Sequence, residues 1–191
     1  MTTRAAAAER TRESLLDAGL AIAAEHGLSG MSVNRVVAAA GVAKGTFYVH
    51  FPDRGAFLNA LHGRFHAQVA EAVGAAMDPL PPGRARLRAG METYLDLCLR
   101  HNGVKAMLLE ARSDPRLADQ VTARTEVFAA QAEADLRAMG WPDAASAARL
   151  VVAMSAELSV AETTTGARDA AGRATLWRLL DRLDLGTPGA G

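Results

Sequence analysis

Cysteine is almost missing: the 191-residue chain has one, Cys98. No internal disulfide can form, and no cysteine-based zinc site can be built. A reducing, cytoplasmic compartment is the simplest reading of that count. Aromatic residues are scarce as well, at 5%. Ala, Leu, Arg and Glu are plentiful, which favours helix over strand. There is no excess of either charge. Lys+Arg and Asp+Glu stand at 21 each, which excludes a globally polybasic or polyacidic chain while leaving room for a local basic patch. Long apolar runs are lacking too. The longest strongly apolar stretch, Leu150 to Met154, has five residues, where a membrane span needs about 20. Residues 1 to 13 carry no apolar core of a secretory leader. No membrane partner is expected. What is present is ample apolar mass: half the residues are apolar, enough in a chain of this length to bury a core without staples.

Periodicity predicts an all-α fold of nine helices. Residues 1 to 8 read as a flexible tail. A first helix runs from Glu9 to Gly27, a C-cap residue. Ser32 caps a short helix to Ala40, and Gly41 stops it. A second short run, Ala43 to His50, is closed by Pro52. Asp53 caps a longer helix with Phe57, Leu58, Leu61, Phe65 and Val69 on one stripe. The segment DPLPPG (78–83) is a sharp turn or linker. Further helices are expected from Arg84 to Arg100, Val104 to Arg112, Pro115 to Met139, Pro142 to Thr165 and Ala174 to Leu185, with Gly166 and Gly172 bracketing a break. The tail 186–191 reads as flexible.

Two short helices joined at Gly41 form a helix-turn-helix layout. In such a unit the first helix crosses the sugar-phosphate backbone and the second enters the major groove. At 100° per residue, with Phe47 at the centre of the inner face, Ala43 and Phe51 lie about 40° to either side and Gly45 and Val49 point away. Lys44, Thr46, Tyr48 and His50 take the flanks. The outer face therefore offers a cation, two hydroxyls, an imidazole and a gap at Gly45.

The stretch GLSGMSVNRVVAAAGVAKGTFYVHFPDRGAFLNAL resembles the DNA-binding segment of the TetR family of one-component regulators. The match rests on Gly27, Ser32, the run AAAGVAKGTFYVHF from Ala38 to Phe51, and the DRGAFL that follows. The resemblance implies an N-terminal three-helix domain, 1–66, and a C-terminal effector-binding and dimerisation domain, 67–191. It also implies a partner, double-stranded operator DNA of pseudo-palindromic sequence. Ser32 would cap the first motif helix and touch a phosphate. Asn34 would reach a base edge. Lys44, Tyr48 and His50 would meet phosphates or base edges, and Thr46 would use its hydroxyl. Arg54 stands where the family usually has Lys, and would grip a phosphate at a helix start. Ala43 and Val49 depart from the polar groups common there, so direct hydrogen-bond readout is expected to be sparse, with Val49 available to a thymine methyl. Charge asymmetry agrees in sign only. Residues 1–66 carry seven Lys/Arg against five Asp/Glu, and the remainder fourteen against sixteen.

Past residue 66 there is no P-loop, no GxSxG, no HExxH and no cluster of metal ligands. Neither enzyme activity, metal nor cofactor is expected. Cys98 and His101 are i and i+3, but Cys98 continues an apolar stripe. Met91, Tyr94, Cys98, Met107, Leu108, Phe128 and Met154 are candidates to line an apolar pocket for an unknown small-molecule effector, with Glu110, Arg112 and Glu157 placed to orient a polar group. Ala148, Val152, Ser155, Ser159 and Glu162 form a small-residue stripe, and Leu176, Leu179, Leu180 and Leu183 a leucine stripe edged by Trp177. The resemblance implies that these last two helices pair across a two-fold axis into a homodimer. The function so implied is a repressor released from its operator by an effector. The alternatives are an activator of the same fold, and a small-molecule-binding helical protein without a DNA function.

Overall fold

The computed structural model describes residues 3–27, 30–102, 104–105 and 115–182. Among them are eight α-helices and no strand: α1 (Thr3–His26), α2 (Val33–Ala40), α3 (Lys44–His50), α4 (Arg54–Met77), α5 (Arg84–Arg100), α6 (Pro115–Ala138), α7 (Ala144–Thr165) and α8 (Ala170–Arg182). The helix expected from Val104 to Arg112 lies outside the described residues beyond Lys105. So does the 186–191 tail.

Several boundaries differ from the expectation, each for a local reason. The tail expected at residues 1–8 is helical from Thr3, because Ala5 to Ala8 are the strongest helix formers available. Helix α7 starts after Asp143, whose carboxylate accepts the Ser146 N–H at 3.0 Å. Helix α8 starts at Ala170, ahead of Ala174, because Asp169 accepts the Gly172 N–H at 2.8 Å. Gly172 is therefore inside a helix and marks no break. Its missing side chain is a matter of space: a Cβ there would lie 2.4 Å from Asp169 Oδ2 and 2.7 Å from Leu158 Cδ1.

The chain divides into two compact units. The first holds residues to Ala67 together with His101, Asn102, Val104 and Lys105, and the second holds Gln68–Arg100 and the rest. In the first unit, Leu15, Leu16 and Ala23 of α1, Val36 and Val37 of α2, Phe47 of α3 and Phe57, Leu61 and Phe65 of α4 are buried together with Phe51. Gly19 lets α1 and α4 approach, since a Cβ there would meet the Phe57 ring at 2.6 Å and Leu61 Cδ1 at 3.1 Å. Arg64 of α4 ties the same pair of helices by binding Glu13 at 2.6 Å and Asp17 at 3.3 Å.

In the second unit, α5, α6, α7 and α8 share one core that includes Leu87, Leu95, Leu136, Ala148, Val151 and Leu180. This corrects the expected interface stripes. Ala148, Ser155, Ser159, Leu176, Trp177 and Leu180 are all buried within the subunit, and Val152 packs against the same core. A small-residue stripe permits close helix approach without saying whose helix approaches, and here it is the chain's own. Of the leucine stripe only Leu179 stays exposed, at 43%; Leu183 is outside the described residues. By length and composition α7 is apolar enough to cross a membrane, although only 33% of its most apolar window is buried. Counting unbroken apolar residues missed this, because Ala, Ser and Val dilute the run without making it polar.

Glu162, expected on the small-residue stripe, is buried on that face within the subunit as half of an ion pair. Its carboxylate takes two hydrogen bonds from Arg173, Nε at 2.7 Å and Nη2 at 2.8 Å, and one from the Asp169 N–H at 3.0 Å. Arg173 also donates to Asp96 of α5. Both members of the Arg173–Glu162 pair are inaccessible, at 2% and 1%. The paired carboxylate holds the guanidinium even more firmly protonated than usual. Removing one partner strands the other charge in the core. Arg173→Met is expected to cost about 3–5 kcal/mol in chemical denaturation, and the double variant with Glu162→Leu to recover most of it. Additive losses in the double variant would contradict this account.

Candidate nucleic-acid interface and ligand cavity

The exposed part of the first unit is built on α2 and α3. Ser32 is extended (φ −125°, ψ 152°) and its hydroxyl accepts the Arg35 N–H at 3.3 Å, capping α2. At the other end Gly41 sits in the left-handed region (φ 67°, ψ 30°). Its N–H and that of Val42 bond the Ala38 and Val37 carbonyls at 3.3 and 3.0 Å. That turn aims α3 away from α2.

Helix α3 is held from beneath by aromatic rings. Phe47 is fully buried. Its ring lies 5.5 Å from Phe51 and 5.2 Å from Phe57, and those two are 5.0 Å apart, so the three form a closed triangle. The Arg12 guanidinium covers the Phe51 face at 5.4 Å. Each such ring pair contributes about 0.5–1.5 kcal/mol beyond its buried area. With Phe47 pinned, Val49 is 81% and Tyr48 49% exposed. Lys44 and Gly45 are also exposed, and Thr46 and His50 are half-buried. Tyr48 leans edge-on against Phe47 at 5.4 Å, which fixes the direction of its hydroxyl end. Ala43 is exposed although helical geometry placed it near the inner face. It is the N-cap residue with extended backbone (φ −73°, ψ 150°), so the helical repeat does not reach it.

Ser32 and Asn34 are exposed at the start of α2. Arg54 is exposed too, but its Nη2 lies 3.5 Å from the Met31 carbonyl, so part of its donor capacity faces the protein. Asp53 caps α4 by accepting the Ala56 N–H at 2.7 Å. Of the other cations in this unit, Arg12 and Arg64 are engaged with Glu9, Glu13 and Asp17. Lys44 is thus the cation that α3 itself presents to solvent.

The second unit contains a cleft among α4, α5, α6 and α7. It measures about 610 Å³ including its open mouth. Met91, Tyr94 and Phe128 line it as expected. Tyr94 and Phe128 meet edge-to-face at 5.9 Å. Three other candidates do not reach it. Cys98 is sealed in the core at 0% exposure. Met154 packs against the hydrophobic cluster, and Glu157 points to solvent. Met107, Leu108, Glu110 and Arg112 lie outside the described residues. Val152 and Ser155, expected at an interface, line the cleft instead. Sequence reasoning missed Met77, Thr125 and Gln131. Gln131 left a signal: it follows Phe128 by three residues and precedes Asp135 by four, a polar residue on the stripe that α6 buries.

The family described as "Bacterial regulatory proteins, tetR family" matches residues 15–61. The chain is 35% identical over 91 residues to the HTH-type transcriptional repressor LfrR of Mycolicibacterium smegmatis. That alignment takes in 48% of this chain and 47% of LfrR, about half of each. A transcriptional regulator from Rhodococcus sp. Rha1 superposes with TM-score 0.76 at 22% identity, over 93% of this chain and 99% of the other. A TetR-like transcriptional regulator from Rhodococcus sp. RHA1 gives TM-score 0.71 at 19% identity, over 93% and 97%. At these identities the structural likeness establishes the fold.

The two motif glycines separate in their physical roles. Gly41 has positive φ, whereas a Cβ on Gly45 would meet nothing within 4 Å and needs no unusual backbone. Gly41→Ala is expected to lose about 1–2 kcal/mol by forcing a side chain into the left-handed region. Gly45→Ala is expected to leave stability unchanged or raise it by up to about 1 kcal/mol. Thermal melts of the two variants check this, and equal losses would refute it.

Proposed function

We propose that the chain is a member of the tetR family of bacterial regulatory proteins, whose model it matches over residues 15–61, and that it is a homodimeric transcriptional repressor that binds a pseudo-palindromic operator and leaves it when a small molecule occupies the second unit. The observation that carries the DNA part is Gly45. Nothing inside the protein requires a glycine there, yet it lies on the exposed row with Lys44, Tyr48 and Val49. A missing side chain on an outward face is explained by an external surface that comes close. Lys44, Tyr48, His50, Ser32 and Arg54 then contact phosphates or base edges. Thr46 and Asn34 add polar contacts, and Val49 meets a thymine methyl. LfrR, by its name, is a transcriptional repressor, and the sign of regulation is taken from it. A regulatory rather than catalytic role, acting in the cytoplasm where the DNA lies, follows from the same reading.

Dimerisation is supported by what the subunit leaves uncovered. Leu150 on α7 is 66% and Leu179 on α8 43% exposed. Two-thirds of the most apolar window of α7 is unburied. The exposed face also carries Arg149 and Glu157, which suit a subunit interface with a polar rim better than lipid. Two heads would read half-sites spaced by one or more turns of about 34–36 Å. Effector control needs only a preference for the released state. About 5.5 kcal/mol of differential affinity turns 99:1 into 1:99.

Selection of bound duplexes from random DNA, with light scattering on the free protein, tests this reading. The expected result is an enriched inverted repeat and a dimer at micromolar concentration. A monomer, or no enriched sequence, would sink it. Lys44→Ala should weaken operator binding and reduce the slope of log K against log salt by about 0.9 for each phosphate that is no longer neutralised, one in each subunit. If Lys44 reads guanine, discrimination at one base pair falls by roughly 1–3 kcal/mol with the slope kept. No change in either quantity removes it from the interface.

A further inference from the structure

The lining of the cleft limits what it can take. Fourteen described residues line it, and none carries a charge. The polar ones are few. The Ser155 hydroxyl is already donated to the Val151 carbonyl at 3.0 Å. Gln131 differs, since its Oε1 is buried and has no hydrogen-bond partner among the described residues. An acceptor in that condition destabilises the fold unless something donates to it. The apolar walls are soft and aromatic. Tyr94 and Phe128 present an edge-to-face pair, while Met77 and Met91 are unbranched and adapt their shape. Charged guests would have to shed water against described walls that offer no counter-charge, which disfavours them steeply.

We propose that the cleft binds a neutral, flat, largely apolar molecule bearing one hydrogen-bond donor, a hydroxyl or an amide N–H, which donates to Gln131 Oε1. This rests on the effector reading above for the presence of a small molecule, and adds its chemical class. The donor satisfies the orphaned acceptor, and the flat body lies against Tyr94 and Phe128. Met77 and Met91, unbranched and adaptable, shift to fit its outline.

Calorimetry on the full-length protein with four matched probes tests the proposal: 2-naphthol, its methyl ether, 2-naphthoate and a naphthylmethylammonium ion. The expected order is naphthol above ether by roughly tenfold, with both ions weaker than the ether. Gln131→Leu should abolish the preference for naphthol over ether. The wild-type ranking decides by itself should that variant fail to fold. Equal affinity for naphthol and ether, an ion binding as well as naphthol, or no saturable binding of either neutral probe would overturn the assignment, as would a folded Gln131→Leu protein that keeps the preference. Operator binding measured in parallel separates the two readings. A naphthol-selective cleft supports this proposal even where the DNA complex is unmoved, and that result would count against effector-controlled release alone.

Discussion

The structure depends on the burial of one ring. Phe47 is the only fully buried side chain of α3, a helix of seven residues that is too short to hold itself together in water. Its conformation and direction come from the rings below it, Phe51 and Phe57, and from the left-handed turn at Gly41. Once Phe47 is fixed, the repeat of 3.6 residues leaves no freedom over what faces out. Tyr48, Val49, Lys44 and Gly45 are external because Phe47 is internal. In the DNA-binding reading proposed above, the same anchoring limits the entropy given up on meeting a duplex, since the backbone carrying these groups is already ordered.

That division of labour explains why the overall charge of the chain says so little. Cations that look available in the sequence are not equivalent in space. Arg12 lies over Phe51 and near two glutamates. Arg64 fastens α4 to α1, and Arg173 is locked to Glu162 in the core of the second unit. A small local excess on the right face can matter where a balanced total hides it, because phosphate contacts act within about a Debye length of 8–10 Å.

The first unit was largely legible in the sequence because its signals are local and stereochemical. Ser32 and Gly41 punctuate a short amphipathic helix, and the aromatic spacing of Phe47, Phe51 and Phe57 fits one inner face. The second unit was legible as helices but not as a partition of surfaces. Ala148, Leu176, Trp177 and Leu180 have the pattern of a helix that buries one side, and that pattern is identical whether the cover is another subunit or α5 and α6 of the same chain. Cys98 and Met154 failed as cavity residues for the same reason: an apolar stripe is wider than the part of it that meets a gap. Gln131 was readable only as an anomaly, a polar residue on a buried stripe, and its meaning needed the neighbouring walls.

The construction of the cleft also shows how a core can remain deformable. Gly90 lies within α5, where a glycine costs about 1 kcal/mol relative to alanine, and its backbone needs no positive φ. A Cβ there would press on Met77 Sδ at 2.6 Å. The glycine therefore makes room for a thioether, the side chain best able to change shape at small cost. A branched residue at 77 with alanine at 90 would fill comparable volume more rigidly. The pairing used instead joins a local loss of helix propensity to a wall that can retract, and it sits in the same cleft as Gln131 Oε1, a buried acceptor with no donor among the described residues. Both features lower the stability of the empty state; in the ligand reading proposed above a guest relieves the unmet acceptor, while the helix cost of the glycine stays as it is.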